Sequence, residues 1–236
     1  MHNVTSILRK ELRSYFNSPI AYIVITVFLL ISGWFFSTNL FLINQATLRA
    51  AFGIIPLIFI FFVPAITMRL ISEEKKSGTI ELLVTMPIKD HEIVLGKFFA
   101  ALVLLAIALI FTFFYGFTVA ILGNADEGPI IGGYIGLLLM GGAYLALGLF
   151  ASSLTENQIV AFIIAFLIIF VLFMFDKVLF FVPSWLATIL EYLSIDYHFN
   201  NIARGVIDTR DLIYYLSMIV LGLTLASHMI ERRKWS

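Results

Sequence analysis

Four short runs of the chain carry residue types able to do chemistry. His91 and Glu92 begin an H-E-x-x-H pattern, whose two imidazoles share a helix face and hold zinc. Position 95 is Leu95, so the second ligand is missing. Gly96 and Lys97 look like the end of a G-x-x-x-x-G-K-[ST] loop, whose backbone amides cradle phosphates. His91 stands in place of its first glycine, and Phe98 in place of the hydroxyl that holds magnesium. Asp176 and Lys177 adjoin at the end of an apolar run, where an interfacial ion pair is the simplest account. No G-x-S-x-G nucleophile motif and no cysteine occurs, which excludes disulfides and thiolate metal sites. No pair of carboxylates lies at mid-depth in an apolar run. The sequence therefore assigns this chain no catalytic residue, no metal site and no cofactor of its own.

The fourth run is RLISEEKKSGTIELL, residues 69–83, set between two strongly apolar segments. Ser72 is expected to cap a short helix with Glu73 and Glu74 in its first turn, where the helix dipole favours acid. Gly78 should end or bend that turn, and Thr79 should cap a second one containing Glu81. Leu82, Leu83 and Val84 give the second turn an apolar face, and Pro87 stops it. From Lys89 an amphipathic segment with Ile93, Val94 and Phe98 on one side leads into the next apolar run. A merely solvated loop would not need these apolar residues.

The elements that must position this run are membrane spans. The chain has 236 residues, of which 61% are hydrophobic and 13% charged, about half the charge of a soluble domain. Its mean hydropathy is +1.02. Six runs approach or exceed the roughly 20 residues that cross a bilayer as helix: 20–43, 52–68, 98–122, 131–151, 159–175 and 212–230. An outer-membrane barrel is excluded, because the runs are long and do not alternate. The second run is short and carries Pro56 and Pro64, so a kinked or broken helix is expected there. The expected fold is an all-α, six-span polytopic membrane protein forming a single transmembrane domain over 1–236. Zero formal net charge offers no electrostatic case for nucleic acid. The first run is too long for the apolar part of a cleavable signal.

Before that run, residues 1–18 place Val4, Ile7, Leu8, Leu12, Tyr15 and Phe16 at helical spacing, with Arg9, Lys10 and Arg13 opposite. This pattern predicts a helix lying along the membrane surface. Putting both termini in the cytoplasm leaves eleven Lys/Arg inside against four outside, namely Arg49, Lys177, Arg204 and Arg210. The positive-inside bias thus assigns residues 69–97 to the cytoplasmic face. On the opposite side, residues 177–211 are too polar to span. Trp185, Leu186, Ile189, Leu190 and Leu193 form an apolar stripe there, and the segment is expected to be interfacial or re-entrant. Within it, Arg204 and Asp208 stand four apart and are expected to pair on a helix. Asp208 and Asp211 are expected to cap the last span. Arg210 adds a cation beside them, and His198 is a lone histidine expected to be a hydrogen-bonded structural residue. In the fourth span, Gly132 and Gly136 form a GxxxG spacing that permits close helix approach.

The chain resembles the permease subunits of ABC-2 type transporters. The resemblance rests on Arg69, Glu73, Glu74, Gly78, Thr79, Glu81, Leu83 and Pro87, and on Leu95, Gly96 and Lys97 leading into span three. The K-E-L…S-P stretch at 10–19 and the six spans extend it over nearly the whole chain. NQIVAFI at 157–163 and HFNNIARGVIDTRDLIYYLS at 198–217 are most similar to gliding-motility-associated permeases. The permease accompanying copper-site maturation of nitrous oxide reductase is a close second. The resemblance implies a partner ATPase that binds ATP and magnesium, and a second permease chain, identical or similar, in a bacterial inner membrane. It implies a coupling helix at residues 73–83, with Arg69, Leu82 and Leu83 among the coupling residues. Export, or mechanical signalling to a periplasmic partner through the outer segment around Trp185, would follow from ATP hydrolysis by that partner. The other classes to be weighed are an ATP-independent channel and a structural membrane anchor.

Overall fold

The computed structural model describes residues 2–42, 47–79, 88–122, 127–206 and 208–232. At the start of the chain, α1 (His2–Asn17) is followed by α2 (Pro19–Phe41). Between them Ser18 caps α2, its hydroxyl accepting from the Ile20 amide at 3.3 Å, and Pro19 fills the first helical position. Proline is tolerated there because its missing N–H would have no intrahelical partner anyway.

Next, α3 (Arg49–Thr67) runs as one helix through Pro56 and Pro64, so of the kinked or broken helix expected there the break does not occur. The five-residue α4 (Ser72–Lys76) follows it. The third span is longer than its apolar run. α5 (Asp90–Leu122) has 33 residues, about 50 Å of helix against about 30 Å of hydrocarbon. Its first two turns therefore project beyond the span and carry Ile93, Gly96 and Lys97 as one rigid extension.

The remaining elements are α6 (Glu127–Leu154), α7 (Gln158–Val178), a 3₁₀ turn (Leu179–Phe181), α8 (Ser184–Leu193), α9 (Ile195–Ala203) and α10 (Thr209–Arg232). No strand occurs among the described residues. Six of the helices are long and apolar enough to cross a membrane.

The core sits around α6. Of its most apolar window 78% is buried, against 28% for α2 and 22% each for α7 and α10. So α6 is the hub, and α2, α7 and α10 turn broad apolar faces outward. Small residues make the hub possible, since helices in lipid associate through close packing rather than through expulsion of water. At Gly132 a Cβ would lie 2.3 Å from the Ile202 carbonyl oxygen of α9, and at Gly136 it would meet the Phe199 ring at 3.0 Å. The GxxxG spacing thus receives α9 within the same chain. On the next face, Gly222 of α10 lies against the Ala146 backbone, its Cβ position 2.7 Å from that carbonyl carbon.

Candidate functional site

The loop after α3 is held to the hub through the Ser152 hydroxyl and through Lys75, whose ammonium donates to the Ser153 carbonyl. Ser152 Oγ, on α6, accepts from the Ile71 and Ser72 amides at 3.1 Å each and donates to the Met68 carbonyl at 3.1 Å. Ile71 occupies the N-cap of α4 without any side-chain hydrogen bond. Ser72 instead donates its hydroxyl to the Met68 carbonyl, which corrects its expected role as cap. Ser152→Ala would strand two buried amides. The expected result is a loss of about 1–3 kcal/mol, with faster hydrogen exchange at Ile71 and Ser72. Unchanged exchange at both amides would show that the bracket carries no weight.

The two acids of the loop point different ways. Arg69 grips Glu73 through a two-pronged contact, Nε to Oε2 at 2.8 Å and Nη2 to Oε1 at 3.0 Å, a half-exposed pair on the loop's flank. Glu74 turns inward. Its Oε2 lies 2.9 Å from Lys97 Nζ, and its Oε1 accepts from Lys10 Nζ at 3.2 Å. Lys97 also donates to Glu11 Oε1 at 2.9 Å. Its side chain is only 2% exposed, so a cation removed from water is compensated by two carboxylates from different helices.

Beside Lys97, Gly96 lets α1 settle onto α5: a Cβ there would stand 2.7 Å from Ile7 Cβ. Asn3 Nδ2 donates to Glu92 Oε2 at 3.0 Å, and Tyr15 Oη donates to the Ile66 carbonyl at 3.2 Å. Burial, and secondarily the Glu11 carboxylate, push the Tyr15 phenol well above its ordinary pKa, so it stays a neutral donor. The sequence reading named Glu74 and noted Lys97 only as a motif fragment; it missed Glu11. The available signal was a lysine directly after a glycine, at the lead-in to an apolar run, with an acid in the preceding amphipathic helix.

Beyond this junction Lys76, Ser77, Gly78 and Thr79 are exposed. Gly78 has φ +70°, a conformation that side-chain-bearing residues rarely adopt, and it ends the turn as expected. Thr79 Oγ1 bonds Ser77 Oγ at 2.8 Å. Glu81, Leu82 and Leu83 lie outside the described residues. Among the described residues of this loop no nucleophile is poised against a base; the contacts tie its exposed tip to α1, α3, α5 and α6.

At the other end of the bundle His198 and Asp211 are brought together. Asp211 Oδ1 is 2.6 Å from His198 Nδ1, and the Tyr192 carbonyl lies 3.1 Å from Nε2. Tyr214 stacks on the imidazole with ring centroids 3.9 Å apart. Both His198 and Asp211 are buried, so the histidine is hydrogen-bonded within the fold. Asp211 reaches this partner from the first turn of α10, and Asp208 alone serves that helix end, accepting from the Arg210 amide at 3.0 Å.

Lys177 binds Asp176 at 2.9 Å and also Asp196 at 2.6 Å, which draws α9 toward α7. The expected Arg204–Asp208 pair does not form. α9 stops at Ala203, Arg204 is its C-cap, and Gly205 follows with φ +89°, so no helix connects the two residues. Trp185 is exposed on α8, a helix that buries none of its residues, and it stands apart from the His198 pair. Arg210 is exposed at the start of α10. Among the described residues no three His, Cys, Asp or Glu side chains gather to hold a metal.

A family model described as ABC-2 family transporter protein matches residues 35–228. No curated protein matches the chain.

Proposed function

The chain belongs to the ABC-2 transporter family, and from that premise we propose that it is a permease subunit driven by a separate ATP-binding-cassette ATPase. The observation that carries this reading is the Lys97–Glu11–Glu74 junction. It joins an exposed loop tip to an amphipathic helix and to the projecting end of a span. A push on Thr79 and the residues after it then moves α1 and α5 together instead of only bending a loop. Glu74 serves as the internal anchor of this lever, and Arg69 and Glu73 stiffen its flank. Gly78, Thr79, Glu81, Leu82 and Leu83 meet the ATPase, which holds ATP and magnesium.

Both termini and the loop are cytoplasmic in this proposal, and the membrane is a bacterial inner membrane. A second permease chain, identical or similar, covers part of the outward apolar faces of α2 and α7. The output is export or a mechanical signal to a periplasmic partner. The gliding-motility type is the finer reading that the stretches at 157–163 and 198–217 support, with the copper-maturation type next.

The test is co-purification of the full chain with a candidate ATP-binding-cassette ATPase, followed by an ATPase assay. Lys76→Glu combined with Thr79→Arg alters only exposed positions. It is expected to reduce ATPase recovery about tenfold, the effect of disturbing a docking hot spot, while thermal melting of the permease stays unchanged. Full assembly with wild-type activity in that variant would sink the docking assignment. Ion flux through liposomes without any ATPase would favour a channel instead.

A further inference from the structure

Two of the four cations that the orientation count leaves on the far side, Arg49 and Arg204, line one cavity. It lies between the start of α3 and the end of α9, at the opposite end of α3 from the α4 loop, and its volume is about 380 Å³. Phe52, Gly53 and Phe199 supply apolar wall, and Asn200 supplies an amide. Gly53 has nothing within 4 Å of where its Cβ would be, so that side is open space and not packed core.

Neither guanidinium has an ion-pair partner among the described residues. Lys177, by contrast, carries two carboxylates. Two like charges flanking one cavity repel each other. The first turn of α3 adds the positive end of a helix dipole; Thr47 Oγ1 accepts from its Arg49 amide at 3.2 Å, while the N-cap residue, Leu48, supplies no side-chain acceptor. The charged side chains lining this cavity are therefore the two arginines; the α3 and α9 helix ends present dipole poles of opposite sign there, and the wall is aromatic.

We infer that this cavity binds a phosphate-bearing anion, held in the two guanidinium forks, with Asn200 as a further donor and any apolar part against Phe52 and Phe199. Arginine suits this task because its planar fork donates two parallel hydrogen bonds to phosphate oxygens. The phosphate is carried either by a phospholipid headgroup of the adjacent leaflet or by a free phosphate compound. The site stands whether or not an ATPase docks at the other end of the bundle.

The experiment follows thermal melting of the full chain in neutral detergent during two separate titrations. One uses dioctanoyl-phosphatidylglycerol, with dioctanoyl-phosphatidylcholine as its blank; the other uses inorganic phosphate. A ligand that binds the folded state raises the melting temperature with concentration. The expected result is a rise in at least one arm. The apparent affinity should fall about tenfold in Arg49→Gln and again in Arg204→Gln, as loss of a charge-assisted pair requires. Arg210→Gln, an exposed arginine outside the cavity, should match the wild type. A rise with phosphatidylglycerol alone assigns the headgroup, and a rise with inorganic phosphate assigns the free anion. The proposal is overturned by no rise in either arm, by an equal rise with phosphatidylcholine, or by unchanged affinity in both cavity variants.

Discussion

Lys97→Met is expected to destabilise the chain by about 3 kcal/mol or more, because removing one member of a buried ionic cluster leaves its partners uncompensated. The side chains of Glu11 and Glu74 are only 13% and 14% exposed, so neither carboxylate can recover full hydration in place. Lys10 would still reach Glu74, and Glu11 would be the group left stranded. The triple variant Lys97→Met, Glu11→Gln, Glu74→Gln should recover a large part of the loss, since replacing every member of such a cluster is far less costly than breaking it. Thermal melting of the three proteins reads this directly. A single variant as stable as the wild type would show that the junction is open to water. In the assembled complex the triple variant has a second use: stability returns while ATPase stimulation does not, if the ionic junction itself carries the force.

The second large effect is steric. Gly132→Ala puts a methyl group 2.3 Å from the Ile202 carbonyl oxygen, where backbone and not a flexible side chain must give way. Overpacking of this kind costs about 1–3 kcal/mol, and here α9 has to move off α6 to relieve it. Gly53→Ala is the matched control. It meets nothing within 4 Å and gains up to about 1 kcal/mol of helix propensity. The measured melting temperatures should therefore shift in opposite directions. Equal shifts would mean that α9 does not lie on the hub as described.

The six spans were legible because long apolar runs have few alternatives, and α5 was found wherever its apolar residues were. Its projecting start was less so, since Ile93 and Val94 mark a helix face without saying that it continues unbroken into the span. The identity of the hub was readable in principle from Gly132, Gly136 and Gly148, but glycine spacing does not name the partner, and α9 could not be deduced from it. The failures share a cause. Ser72 looked like a cap on local grammar, yet Ser152, eighty residues away, supplies the acceptor its amide needs. Arg204 and Asp208 looked paired because a helix was assumed across Gly205. Glu74 was placed in the first turn of the coupling helix without its partner, because no pattern within the loop announces Lys97. Long-range polar pairing leaves almost no trace in a single sequence.

The central position of α6 bears on how the chain is assembled. This helix is synthesised before α9 and α10, which cover two of its faces. Until residues 195–232 have emerged, Gly132, Gly136 and the surface around Ala146 lack the helices that cover them. Insertion and closure are thereby separated in time. Released chains truncated before residue 195 should hold the earlier spans in the bilayer yet remain laterally open, and an intramembrane protease or insertase would meet them with that seam unsealed.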